Sequence, residues 1–142
     1  MNQARNQDFA LGDPRTDEID LEAMRPSFDR IVRVALTLFG AATGEVSMRR
    51  NGQVWRVSGR ADAEAPLLDM IDAARDVVWI ENVATDPRHA GLPLSEAVSE
   101  YAFFAGAPIA LADGQFLGAL MVADHSPRAF DDRLARRLED LA

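Results

Sequence analysis

The sequence predicts an α+β fold built on a mostly antiparallel sheet. Three observations carry that prediction. Two hairpin turns are written into the chain, at Asn51-Gly52 and Asp113-Gly114, each between strand-like runs. Helical apolar spacing brackets them at both ends of the chain. The order of elements is helix, two strands, helix, strand, loop with a short helix, two strands, helix, which is the order of helices wrapped around a mostly antiparallel sheet. A chain of 142 residues with 48% hydrophobic content suits one domain with a core of its own.

Residues 1–23 are polar and acidic, with a turn at Gly12-Asp13-Pro14. They read as a flexible arm, in part an extension of the first helix, ahead of a domain spanning 24–142. The first strong element begins near Pro26, a residue suited to a first helical turn because its missing N–H has no partner there anyway. Phe28, Ile31, Val32, Ala35, Leu36 and Phe39 then keep helical spacing, with Asp29, Arg30 and Arg33 on the other face. Gly40 and Gly44 end the helix.

In the first hairpin, Val46 and Met48 alternate with polar residues before the turn, and Trp55 and Val57 do so after it. One buried and one wet face follow from that alternation. Residues 61–75 read as a loop and a helix with Leu67, Leu68, Ile71 and Ala74 on one face, and Val77 to Val83 as the third strand. The segment Asp86 to Leu94, "DPRHAGLPL", is a loop holding two prolines, a glycine and one of the two histidines. Ser95 suits the N-cap of a short helix to Tyr101. Ala102 to Leu111 and Gln115 to Asp124 form the second hairpin, apolar on both faces and therefore central in the sheet. Gly106 and Gly118 mark bends or close approaches, and Pro108 marks a bulge or an unpaired position. Phe130 to Ala142 is a last helix with Leu134, Leu138 and Leu141 in register.

Composition narrows the function. The absence of cysteine removes thiolate nucleophiles, thiolate metal sites and thioether-linked chromophores. A net charge of −8 repels phosphate backbones, so nucleic acid is not an expected partner. Arg49-Arg50 and Arg133/Arg136/Arg137 read as solvated faces. The apolar run Ala102 to Ala112 is too short for a bilayer, and no membrane partner is expected. Without a signal-peptide pattern, the chain reads as soluble and cytoplasmic.

No catalytic constellation emerges, and the chain is not expected to be an enzyme. Asp124-His125-Ser126 holds the letters of a triad, but adjacent side chains at a strand end point in alternating directions. The two histidines lie far apart, no metal-ligand spacing exists, and Glu96 and Glu100 read as a solvated helix face; no metal and no cofactor are expected.

The run from Asp86 to Phe130 resembles the C-terminal half of a GAF domain. The matching pieces are Asp86-Pro87-Arg88, Phe104-Ala105-Gly106-Ala107-Pro108-Ile109, Asp113-Gly114, Leu117-Gly118-Ala119-Leu120, Asp124 and Pro127-Arg128, in family order. His89 stands where phenylalanine is usual, and residues 120–122 read Leu-Met-Val where many members have Leu-Cys-Val. The lost cysteines put bilin attachment and sulfoxide reductase chemistry of the GAF type out of reach, and the cyclic-nucleotide signature is at most echoed at Phe130-Asp131-Asp132.

The resemblance implies a GAF-like sheet with the first and last helices on one face and the pocket loop and short helices on the other. It implies a regulatory sensor that binds a small molecule in a pocket closed by Asp86 to Leu94. Trp79, Arg88, His89, Tyr101 and Phe104 are the candidate ligand-binding wall, and Arg88 has Asp124 or Glu100 as possible carboxylate partners. The expected partners are a second copy, paired through residues 26–39 and 130–142, and a downstream output domain such as a diguanylate cyclase or histidine kinase. The alternative is a ligand-free dimerisation module, whose mark is Trp79, Tyr101 and Phe104 packed into one another without space.

Overall fold

The two hairpins read from the sequence lie side by side in the computed structural model, which describes residues 21–51, 53–59, 65–86 and 101–142. Strands β1 (Thr43–Arg50) and β2 (Gln53–Gly59) form the first, and β4 (Phe103–Ala110) and β5 (Phe116–Asp124) the second. With β3 (Val78–Ile80) they make a five-stranded antiparallel sheet in the order β2-β1-β5-β4-β3. Asn51 takes φ +52° in the first turn, as a tight hairpin demands.

Helices α1 (Leu21–Phe39) and α3 (Asp132–Leu141) share a core on one face of the sheet. Helix α2 (Ala65–Ala74) packs on the other. The layer arrangement implied by the resemblance is therefore present. Phe28, Val32, Ala35 and Phe39 bury the inner stripe of α1 against Val46, Leu120, Val122 and Phe103. Asp131 caps α3, its carboxylate accepting from the N–H groups of Arg133 at 3.0 Å and Leu134 at 3.2 Å.

Several expectations need correction. Pro26 lies inside α1 rather than opening it, since the helix already includes Leu21. Asp29, placed on the outer face by periodicity, is half-buried and accepts a hydrogen bond from the Ser58 hydroxyl. Ala74 is exposed, while Leu67, Leu68 and Ile71 are buried as expected. The third strand is shorter than Val77 to Val83, because an Asn82 turn ends it: Asn82 accepts from the N–H groups of Ala84, Thr85 and Asp86. The first hairpin does not have one wet face. β1 lies between β2 and β5 with side chains buried on both faces, Glu45 and Ser47 included, while Trp55 on the outer strand is 50% exposed. Arg49 is not a solvated strand end but is held by two carboxylates of α2.

The mid-strand glycines mark close approaches. A Cβ at Gly118 would fall 2.1 Å from the Ser47 carbonyl oxygen of the neighbouring strand, and one at Gly106 would fall 2.6 Å from Cδ1 of Ile71 on α2. Pro108 lies beyond the reach of β3, whose pairing stops at Gly106, and beside a bulge at Ile109/Ala110. That position reconciles a proline with an inner strand. Residues 1–20 of the expected N-terminal arm lie outside the described residues, while 21–23 open α1; most of the loop Asp86 to Leu94 and the short helix expected from Ser95, apart from the non-helical Tyr101, also lie outside them.

Candidate functional site

Register decides which side chains share the sheet face under α2. Directly paired residues project to the same side. Ile80, Phe104, Ala123 and Thr43 form one cross-sheet row. Val78, Gly106, Met121 and Glu45 form the next, and Pro108, Ala119, Ser47 and Arg56 the one after. The first two rows run from apolar at β3 to polar at β1, and the third, which starts at β4, from apolar there to polar at β1 and β2. The apolar half is roofed by α2, whose Leu67, Leu68 and Ile71 are at most 1% exposed against Ile80, Phe104, Met121 and Ala123. The polar half centres on Glu45, 1% exposed, which accepts a hydrogen bond from the Ser47 hydroxyl. Burying a carboxylate in a central strand is costly unless it is hydrogen-bonded, and the Ser47 hydroxyl is one of its partners.

Arg49 continues the polar side and fastens the roof. Its guanidinium donates to Asp69 and Asp72 of α2 and lies 4.9 Å above the centre of the Phe116 ring. Arg75, just past α2, donates to the Gly114 carbonyl at 2.8 Å, tying the helix end to the β4–β5 turn.

The five residues named from the sequence do not form one wall. Arg88 and His89 lie outside the described residues. Trp79 and Phe104 occupy opposite faces: Ile80 pairs with Phe104, so Trp79, one residue earlier, pairs with Ala105 and points toward α1 and α3. There it stands 5.8 Å from Phe39 and 5.0 Å from Phe103, and its indole N–H donates to the Arg128 carbonyl at 3.0 Å. Phe104 is fully buried under α2, and Tyr101 packs at the margin of the same cluster, stacked 5.0 Å from His125. Trp79 therefore does not pack against Tyr101 and Phe104. The Asp124 carboxylate accepts from the His125 N–H at 2.8 Å and pairs with Arg128 at 3.3 Å, the place foreseen for Arg88. Among the described residues no group of three or more His, Asp or Glu side chains is placed to hold a metal, and no helix is long and apolar enough to cross a membrane.

Sequence reasoning missed Glu45, Ser47 and Arg128. For Glu45 and Ser47 the available signal was a strand whose polar residues alternate as strictly as its apolar ones; only their burial in the folded chain shows that this face is covered too. For Arg128 it was an arginine three residues before the Asp131 cap and four after Asp124.

The comparisons with known proteins agree with this architecture. A family profile described as "GAF domain" matches residues 22–142. No curated protein matches the chain. Solved structures with the same fold include the type II free methionine-R-sulfoxide reductase of Thermoplasma acidophilum, at 12% identity and a TM-score of 0.67, covering 86% of this chain and 89% of that one. The blue-light absorbing form of the Thermosynechococcus elongatus PixJ GAF domain matches at 17% and 0.66, covering 86% and 82%. The GAF domain of an Acinetobacter phosphoenolpyruvate-protein phosphotransferase matches at 18% and 0.66, covering 89% and 81%. With a profile match over most of its length and a sheet layered in the same way, this chain belongs to the GAF domain family.

Proposed function

We propose that this chain is a regulatory sensor module. It binds a small molecule on the α2 side of the sheet and passes the signal through α1 and α3 to a partner or output domain, such as a diguanylate cyclase or histidine kinase, without chemistry of its own. The observation that carries the reading is the buried Glu45–Ser47 pair on the sheet face opposite the terminal helices. A floor that grades from Phe104 and Met121 to a carboxylate suits a ligand with an apolar body and a hydrogen-bond donor or cationic end. Tyr101 and Phe104 remain on that face as contacts, Arg88 and His89 remain proposed from the resemblance, and Trp79 serves instead on the helix side.

The proposed homodimer rests on α1. Its inner stripe is spent on the core, yet Met24, Val34 and Leu38 form a second apolar stripe, 38–40% exposed, in near-heptad spacing with Ile31. That is the pattern of a helix seam awaiting another helix. Native mass spectrometry of the purified chain tests ligand and dimer at once. The expected spectrum is a dimer carrying added mass that Glu45→Gln loses. A bare monomer at every concentration defeats the proposal.

A second reading, a dimerisation module without ligand, is favoured by the close packing at Gly106, where one added carbon would meet the tip of Ile71 on α2 at 2.6 Å. Its mark in the same experiment is a dimer with no added mass.

A further inference from the structure

We infer that the surface around Phe130 is a docking site for a basic segment of a partner protein, independent of any ligand bound under α2. Phe130 is 55% exposed, more than any other large apolar side chain among the described residues. It is held in place from both sides. Its ring meets Trp79 edge-on at 5.4 Å, and its N–H donates to the Glu81 carboxylate at 2.8 Å.

A groove opens on each side of this ring. One, of about 290 Å³, is lined by Trp79, Glu81, Asn82, Thr85 and Asp86 together with Phe130. The other, of about 250 Å³, runs between the start of β3 and α3 and is lined by Asp76, Asp132, Arg136 and Glu139, again with Phe130. The two linings hold five carboxylates and one guanidinium, and that guanidinium already pairs with Asp132 at 2.9 Å. The nearby Arg128 is turned inward, toward Phe39 and Asp124, and lines neither groove.

An aromatic ridge between two acidic grooves fits one kind of occupant. Arginine or lysine side chains enter the grooves, where carboxylates and aromatic rings both attract cations. The apolar residue between them lies on Phe130. Each groove is near the lower size limit for a small-molecule pocket but ample for one side chain. Exposed aromatic anchors with charged surroundings are also what protein interfaces concentrate their energy on.

The test is fluorescence anisotropy of the full chain with a short fluorescein-labelled peptide of alternating arginine and leucine. The wild type is expected to bind, more weakly as salt rises. Phe130→Ala, which changes no charge, is expected to weaken binding about tenfold, and Glu81→Gln with Glu139→Gln to weaken it as much and flatten the salt dependence. Circular dichroism shows that each variant stays folded. Four results overturn the proposal. The wild type fails to bind. Binding survives Phe130→Ala, and is then diffuse attraction to a chain of charge −8. Glu22→Gln, on exposed α1, weakens binding as much as the groove variants. Free arginine amide displaces the peptide at matched concentration, which makes the grooves sites for small cations.

Discussion

The guanidinium of Arg128 donates a hydrogen bond to the main-chain carbonyl of Phe39, a residue 89 positions away. Phe39 is the last residue of α1, whose final carbonyls have no partner within the helix. The same guanidinium pairs with Asp124 at the end of β5 and lies 5.2 Å from the centre of the Phe103 ring on β4. Its main-chain N–H donates to the Glu81 carbonyl past the end of β3 at 2.9 Å. One residue therefore joins the sheet's upper rim to α1 and to the segment that leads into α3.

Removing that link is expected to be expensive. Arg128→Ala leaves a half-buried carboxylate without its charge partner and a helix-end carbonyl without its side-chain donor, and should cost about 2 kcal/mol of stability in urea unfolding. Arg128→Lys should recover only a fraction, because an ammonium cannot serve two directions as a planar fork does. Equal stability of all three proteins would show that the link is passive.

The two close-packed glycines should differ in cost. At Gly106 the clash is with the tip of Ile71, which can turn aside, so Gly106→Ala should cost about 1–3 kcal/mol. At Gly118 the clash is with the backbone of β1, at the Ser47 carbonyl and Met48 Cα, so Gly118→Ala must push β5 away from β1 and should cost more. Thermal unfolding ranks them; the reverse order contradicts the packing described.

The outer stripe of α1 predicts a separation of fold from assembly. Val34→Glu with Leu38→Glu replaces two exposed side chains by a good helix former, so monomer stability should change by less than about 1 kcal/mol. Light scattering should nevertheless report loss of the proposed dimer. A dimer that persists assigns pairing to another surface.

Arg49 predicts a salt-sensitive roof. Arg49→Met keeps much of the stem but removes both carboxylate pairs and the contact over Phe116. Its side chain is 24% exposed, so the pairs are only partly screened, and the loss should be about 1–2 kcal/mol at low salt and smaller at high salt. Hydrogen exchange should locate the added opening in α2; uniform exchange across the sheet would contradict a local clamp.

Local pattern carried the fold well and the site poorly, for a physical reason. The hairpins were legible because Asn-Gly and Asp-Gly turns fix their own pairing. The outer helices were legible because periodicity survives whatever they pack on. What periodicity lacks is the identity of the third strand in a pairing. β1 reads as half-wet from its own alternation, yet Glu45 and Ser47 are interior residues; their neighbours across the sheet, Met121 and Ala119 of β5, lie far along the chain. Parity fails in the same way. Nothing local states whether Trp79 or Ile80 faces the same side as Phe104; the β3–β4 register does, and it sends Trp79 to the helices. Arg128 was hidden because its partners are a carbonyl on α1 and a ring on β4, neither of which leaves a mark near residue 128.

The contrast between the two indoles gives the molecule a pair of built-in optical probes. Trp55 stands on the open margin of β2, half bare to water, while Trp79 is enclosed by Phe39, Phe103 and Phe130. Iodide should extinguish the red-shifted emission of the first and spare the blue-shifted emission of the second. What survives the quencher then watches the α1–α3 layer alone, with no label attached.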